Sequence, residues 1–327
     1  MREYKIERAN DSLEWDIFVK SSKNGTIFSY SKYLEALKIR YGCYFILKNN
    51  EKRAALSVIE SKNGTNAVLD DLVIYNGLIF GPGNKEQNEA QRNSEKYRIT
   101  EFAATQLATI YKSVKISLHP SIYDLRPFLW YNYGKDLPKY KSNVRYTSYL
   151  DISDFSRKHD LDSILCYQSA STARRQEIRY GIRENVNTEE LFSPDLFVFF
   201  YQMTMKKSGE EVSSNKLNRI VCLMEEIIYN KMGKMYIAKT QTGDIGSLAF
   251  FVNDQYRSYY LFGANNPDLH NKHTGTMVLW DAFYALREDG MTEIDLEGVN
   301  SPNRGWFKLS FGGSLVPYYE LSYCPNK

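Results

Sequence analysis

Hydrophobic and polar positions along the chain form two successive series of short periodic segments. Residues 11–20 (DSLEWDIFVK) open on an Asp or Ser cap, and Leu13, Ile17 and Phe18 are spaced for one helix face. Ile27-Phe28 follow, then a second helix from Ser31 to about Arg40. Strand-like runs come next at 43–48 and 54–60, then at 67–72 and 78–80. The Gly81-Pro82-Gly83 turn leads into a polar loop over about 84–95. Over 98–112, Phe102, Ala103, Leu107, Ile110 and Tyr111 share one helical face, and 114–118 reads as a strand.

Around residue 145 the pattern begins again. A strand at 146–150 precedes a basic helical stretch over 161–185, and 195–207 continues as helix. Leu217, Ile220, Val221, Met224, Ile227 and Ile228 define an amphipathic helix. Strands are predicted at 234–239, 246–253 and 256–262. A helix from about Gly275 ends at Gly290, which suits a left-handed C-cap. Residues 292–296 alternate as a strand, and a Gly-rich loop and final strands follow. No repeat of 20–50 residues is present. The pattern describes two mixed α/β units, each a helix pair followed by a meander, which many folds share.

Composition narrows the function classes. With 43% hydrophobic and 25% charged residues, the 327-residue chain reads as a globular protein long enough for two domains. Lys plus Arg exceed Asp plus Glu by only three, 42 against 39, too slight for a protein that coats nucleic acid. The 26 Tyr and 17 Phe suit sugar-like or peptide-like ligands, or a core rimmed with Tyr. The first 16 residues lack an apolar h-region and no run approaches a spanning helix, so a cytoplasmic protein is expected. Cys43, Cys166, Cys222 and Cys324 show neither a zinc pattern nor a disulfide framework. The Asn-Gly-Thr sequons at Asn24 and Asn63 read as turns.

The chemistry concentrates at residues 292–313, TEIDLEGVNSPNRGWFKLSFGG. A strand carrying Asp295 and Glu297 runs into Gly298, and a loop with Asn300, Pro302, Asn303, Arg304 and Gly305 leads to Trp306-Phe307-Lys308. A Lys beside glycine-freed backbone N–H groups can stabilise an oxyanion or hold a phosphate. The alternative is a hairpin with a surface Lys and ordinary turn glycines. Asp295 and Glu297, at i and i+2 on a strand, would point to the same side. Either could accept a proton, or both could satisfy backbone or basic groups. Arg175, Arg179 and Arg183, spaced i, i+4, i+8, share one helix face, which is either functional or a solvated basic face. His270 and His273 have a spacing zinc could use but no second ligand pair, so no metal is expected.

The ending D-L-E-G-x-x-x-P-N-x-G-x-F-K-x-x-F-G-G resembles the C-terminal signature of FemAB-type transferases and their GNAT relatives in envelope-polymer biosynthesis. Other pieces follow in the family's order. Residues 28–38 (FSYSKYLEALK) resemble its F-x-Q-S-x-x-W-x-x-x-K segment, with Tyr30 and Leu34 where Gln and Trp are usual. Residues 171–183 (STARRQEIRYGIR) resemble its basic helix, and 256–264 with 275–290 resemble the segment feeding the acyl-donor cleft.

This resemblance implies an α/β (mixed α+β) fold of two tandem GNAT-like domains. The first would span 1–145, completed by 317–327, and the second 146–316 with the donor cleft. It implies transfer of an aminoacyl group from aminoacyl-tRNA, or an acyl group from acyl-CoA or an acyl-carrier thioester, to an amine. The acceptor would be a nucleotide- or lipid-linked sugar or peptide precursor, such as a peptidoglycan stem peptide or an amino-sugar. No tightly bound cofactor is implied; tRNA and a peripheral membrane contact are compatible partners. Carried over by position, Lys308 with Phe307 would face the reacting carbonyl, and Asp295 or Glu297 would be the proton acceptor. Lys38 and Arg174 would hold the acceptor's diphosphate, with Arg175 and Arg179 as neighbours, and Tyr260 and Asn303 would also bind the acceptor. Thr274, Gly275 and Thr276 would form a helix N-terminus for the donor's pyrophosphate, although HNKHTGT keeps one glycine of the usual Q/R-x-x-G-x-G/A. The alternative is a degenerate, non-catalytic module that binds a glycan precursor or a protein.

Overall fold

The Asp11 carboxylate accepts hydrogen bonds from the backbone of Leu13 and Glu14 and starts α1 (Ser12–Ser21). The predicted helix is present, but its buried face differs: Trp15, Phe18 and Val19 pack inward, while Leu13 and Ile17 are 69% and 60% exposed. Spacing i, i+3, i+4 from Trp15 sets that face, and the indole donates to the Ser29 carbonyl at 2.6 Å. This computed structural model describes residues 4–83, 86–207, 209, 211–269 and 272–325. Two compact units divide it, Met1–Arg145 with Pro317–Lys327, and Tyr146–Val316.

In the first unit β1 (Tyr4–Arg8) and α1 precede α2 (Ser31–Ala36), β2 (Tyr41–Lys48), β3 (Glu51–Glu60), β4 (Asn66–Val68) and β5 (Gly77–Phe80). Then come α3 (Glu89–Ile110), β6 (Ser113–Leu118) and α4 (Arg126–Leu129). The sheet runs β1-β2-β3-β4-β6, with β5 on β3, and Tyr319–Tyr323 of β13 (Ser314–Tyr323) pairs antiparallel with β6. Only β4 and β6 are parallel among these pairs. Consecutive β2 residues face opposite sides. Phe45 meets Trp15 and Phe18 of α1, while Ile46 joins the core formed with Ile99, Phe102, Ala103 and Leu107 of α3.

Three predicted helix boundaries move. Helix α2 ends at Ala36 instead of about Arg40, because Lys38 takes a left-handed φ of 54°. Helix α3 starts at Glu89, inside the stretch read as a polar loop. An Asn88–Gln91 capping box supplies the start that its polar first turns conceal from a hydrophobicity pattern. The basic stretch over 161–185 is interrupted, giving α5 (Leu165–Ser169) and α6 (Thr172–Arg183) with Ser171 as the N-cap of the latter.

The second unit also contains β7 (Lys141–Asp151) from Tyr146 onward, β8 (Asn187–Glu190), α7 (Pro194–Lys207), α8 (Ser214–Tyr229), β9 (Gly233–Lys239), β10 (Ile245–Asn253) and β11 (Arg257–Asn265). Helix α9 (Thr274–Glu288), β12 (Glu293–Asp295) and α10 (Pro302–Leu309) follow. Its sheet runs β7-β12-β11-β10-β9-β8, with β11 and β12 the parallel pair. Phe251 packs with Val278, Trp280 and Phe283 of α9, while Phe250 meets Phe262, which touches Phe197 of α7. Burial of each such ring contributes roughly 1.5–3 kcal/mol. Gly290 follows α9 with a φ of 94°, the left-handed stop expected there.

Candidate active site

Strand β12 carries the polar residues inward. Asp295 pairs with Tyr149 on β7 and Tyr259 on β11, which closes it off from solvent. Its Oδ1 accepts from the Thr147 hydroxyl and, at 2.8 Å, from the Glu297 backbone N–H. The strand stops at Asp295, and Glu297 takes a φ of 52°. The expected strand alternation therefore does not orient Glu297; a left-handed turn does. For a residue with a Cβ this conformation costs about 1 kcal/mol or more, and such strain concentrates at functional sites. Glu297 is 4% exposed, and its Oε1 has no hydrogen-bond partner.

The segment read as a loop before Lys308 is instead helical. Pro302 starts α10, where its missing N–H is not needed, and the Gly305 N–H reaches the Ser301 carbonyl at 2.8 Å. The helix brings Lys308 back over the end of β12. Its Nζ donates a long contact to the Glu297 carbonyl at 3.4 Å and lies 5.1 Å from the centre of the Tyr260 ring. Burial pushes the Glu297 carboxyl well up, assisted by the Asp295 charge, and pushes the Lys308 ammonium down. Burial thus brings the proton affinities of an acid and a base closer together. Tyr260, also raised by burial, is packed so tightly that a Cβ at Gly263 would overlap its hydroxyl. A bulge in the β10–β11 ladder between Phe250 and Phe251 puts Tyr260 opposite Phe251 and Phe262 opposite Phe250.

Arg174 has a different position from the one expected of a phosphate ligand. It is 9% exposed, with Nε donating to Ser310 Oγ at 2.8 Å and Nη1 to Thr276 Oγ1. The guanidinium lies 4.5 Å from the ring centres of both Phe307 and Phe311. Its pKa is lowered to about 10 by burial. Arg174 therefore ties α6 and α9 to α10, and Phe307 forms one wall of its pocket. Arg175 is half-buried, while Arg179 is exposed and reaches the Tyr167 hydroxyl at 3.3 Å. Asn303 is exposed on the first turn of α10.

Thr274, Gly275 and Thr276 occupy the first turn of α9. Both threonine hydroxyls are engaged inward, Thr274 with Ser247 at 2.9 Å and Thr276 with Arg174, and the Thr276 N–H donates to the His273 carbonyl at 3.1 Å, which leaves the Thr274 and Gly275 N–H groups at the start of the helix. His273, the N-cap, contacts Glu177 at 2.7 Å through Nδ1. His270 lies outside the described residues. Lys38 belongs to the first unit, just after α2. Thr147, Ser310 and Phe311 complete the site without having been singled out as site residues. Phe311 sits within the quoted motif, whereas no sequence signal marks Thr147 or Ser310. The Gly312-Gly313 pair has a packing origin: Gly312 has a φ of 90°, and a Cβ there would come within 2.7 Å of the Ser169 backbone.

No family model matches the chain, and no curated protein matches it. Solved structures match over nearly its whole length. The crystal structure of FemX gives a TM-score of 0.64 at 14% identity, covering 96% of each chain. A tandem GNAT protein from the clavulanic acid biosynthesis pathway, solved without AcCoA, gives 0.54 at 11% identity, covering 99% of this chain and 98% of that one. L-PGS from Bacillus licheniformis gives 0.52 at 12% identity, covering 97% and 93%. The chain therefore has a mixed α/β, tandem GNAT-like fold. It is the fold of FemX, as the FemAB-type resemblance implied. Among the described residues no helix is long and apolar enough to cross a membrane.

Proposed function

We propose that the protein is a FemAB-like N-acyl- or aminoacyltransferase that joins an activated acyl or aminoacyl group to an amine of a cell-envelope precursor. The observation that carries this reading is the group formed at the end of β12 by the buried Glu297 and the half-buried Lys308 and Tyr260. The amine attacks the ester or thioester carbonyl, and the Lys308 ammonium stabilises the charge that develops on its oxygen. Glu297, as carboxylate, takes the proton the amine must lose and passes it to the leaving oxygen or sulfur as the carbonyl C–O or C–S bond breaks and the amide forms. Asp295 is less suited, because its Oδ1 already accepts two hydrogen bonds, while Glu297 Oε1 accepts none. No side-chain nucleophile is required, since orientation of two bound substrates supplies much of the rate.

The backbone N–H groups at the start of α9 suit the donor's phosphates, and the exposed Arg179 and Asn303 suit the acceptor. Arg174 in this reading positions α10. Lys38 remains proposed as an acceptor ligand. The reaction would take place in the cytoplasm or peripherally at its membrane.

The test is a mass-spectrometric screen of the purified chain with charged tRNAs and acyl-CoAs against nucleotide- or lipid-linked muropeptide and amino-sugar precursors. A product heavier by one aminoacyl or acyl group, lost in Lys308→Met while acceptor binding persists, establishes the reaction and its donor. Acceptor binding without transfer from any donor, unchanged in Lys308→Met, overturns it in favour of a non-catalytic binding module.

A further inference from the structure

On the α3 face of the first unit, away from the α1 face, a cleft of about 360 Å³ opens between the end of β5, the first half of α3 and the segment before α4. Its size falls at the small end of ligand pockets. Three aromatic side chains form its walls: Phe80, Tyr97 and Tyr123, the last 75% exposed. Exposed aromatic surface of this kind offers a flat apolar face to a ring. Between these walls lie neutral groups that donate and accept. Asn93 contributes an amide, Ser121 a hydroxyl, and Thr100 a hydroxyl whose own proton goes to the Lys96 carbonyl at 2.7 Å.

The charges are asymmetric. The Lys96 ammonium lies 5.5 Å from the Phe80 ring centre, and no carboxylate pairs with it among the described residues. The nearby acids are engaged elsewhere. Asp124 is held by a two-pronged contact from Arg126 at 2.8 and 2.7 Å, and Glu95 by one from Arg53 at 2.9 Å on each prong. Arg126 is itself braced between the rings of Tyr97 and Trp130, at 5.6 and 5.7 Å. The cleft therefore presents one unpartnered cation, fixed aromatic faces and a set of hydroxyl and amide groups.

We propose that this cleft binds a small pyranose bearing one acidic substituent, a phosphate or a carboxylate, at a site separate from the Lys308 group. The aromatic faces take the C–H face of the sugar ring, Asn93, Ser121 and Thr100 its hydroxyls, and Lys96 its charge. The site stands independently of the transferase reading.

Calorimetric titration of the full chain with glucose 6-phosphate, glucuronate, glucose and inorganic phosphate tests it. Both acidic sugars are expected to bind with Kd below about 1 mM, glucose and phosphate each roughly tenfold more weakly. Lys96→Met weakens the acidic sugars at least about tenfold and leaves glucose unchanged, while Tyr123→Ala weakens sugars and spares phosphate. Lys308→Met leaves every titration as it was. The relative affinities of glucose 6-phosphate and glucuronate distinguish phosphate from carboxylate as the preferred acid. No saturable binding of either acidic sugar, equal binding of inorganic phosphate, or undiminished binding in Lys96→Met would overturn the proposal.

Discussion

Two buried glutamates, one in each unit, show opposite ways of accommodating a carboxylate in the interior. Glu60, at the end of β3, accepts from Tyr111 at 2.8 Å, from Arg40 at 2.5 Å and from Tyr44 at 3.5 Å. It lies in a regular strand with its oxygens satisfied. Glu297 is equally shielded, but its backbone is left-handed, one oxygen has no partner, and the half-buried Lys308 ammonium reaches its backbone carbonyl at 3.4 Å. Burial without partners destabilises the charged form and keeps proton affinity high. The first arrangement serves stability; the second gives up stability, as the proposed role of Glu297 as proton acceptor requires.

The largest expected effect separates them by activity. Lys308→Met should lower turnover about 100- to 1000-fold, the usual cost of losing one oxyanion-stabilising donor, with little change in thermal midpoint. A Lys308→Met enzyme of normal turnover would remove the reactive half of the comparison. Stability should separate them next. Glu60→Ala removes the carboxylate acceptor of the buried Tyr111 hydroxyl and leaves it the Tyr44 hydroxyl at 3.1 Å, for a cost of about 1–2 kcal/mol in chemical denaturation. Arg40 is half exposed and contributes little to that loss. Glu297→Gln should cost no stability at neutral pH while lowering turnover at least about tenfold.

The pH dependence sharpens the contrast. A carboxyl raised in the folded state binds its proton more tightly there than in the unfolded chain. Its stabilisation is complete below its ordinary value of 4.5 and is lost as pH rises through the raised folded value. Lys308, lowered in the folded state, contributes stability above its ordinary value of 10.5 that is lost as pH falls through the lowered one. Wild-type stability relative to Glu297→Gln should therefore fall as pH rises above about 4.5, by up to ~1.4 kcal/mol per pH unit. A pH-independent difference would mean that Glu297 is not raised. The smallest effect concerns position: Arg174→Lys keeps the charge but loses the planar fork. Turnover should fall roughly threefold to tenfold with KM unchanged, whereas a KM increase alone would restore Arg174 as an acceptor ligand.

Much of this architecture is legible in the chain. The Asp11 cap, the Gly290 stop and the strands from Gly233 onward follow local rules, and the FKLSFGG segment supplies the Lys308, Phe307 and Phe311 side chains that meet Glu297, Tyr260 and Arg174. The α1 face was misread because Leu13 and Trp15 satisfy helical spacing equally well on different faces, and only packing against Phe45 selects one. The polar start of α3 depended on a capping box, and α10 on a close approach of Gly305 to Val299, where a Cβ would come within 2.7 Å of the carbonyl oxygen. Periodicity measures neither.

The sequence by itself determined the elements, their two-part order and the motif that carries Lys308, because those depend on neighbours a few residues apart. Tertiary structure decided the rest. Arg174, 102 residues from Thr276 and 136 from Ser310, is turned inward between two rings. Asp295 is satisfied by Thr147 across 148 residues, and Glu297 Oε1 is left without a partner. Burial and hydrogen-bond partnership set what a charged group can do, and for these residues both come from chain segments distant in sequence.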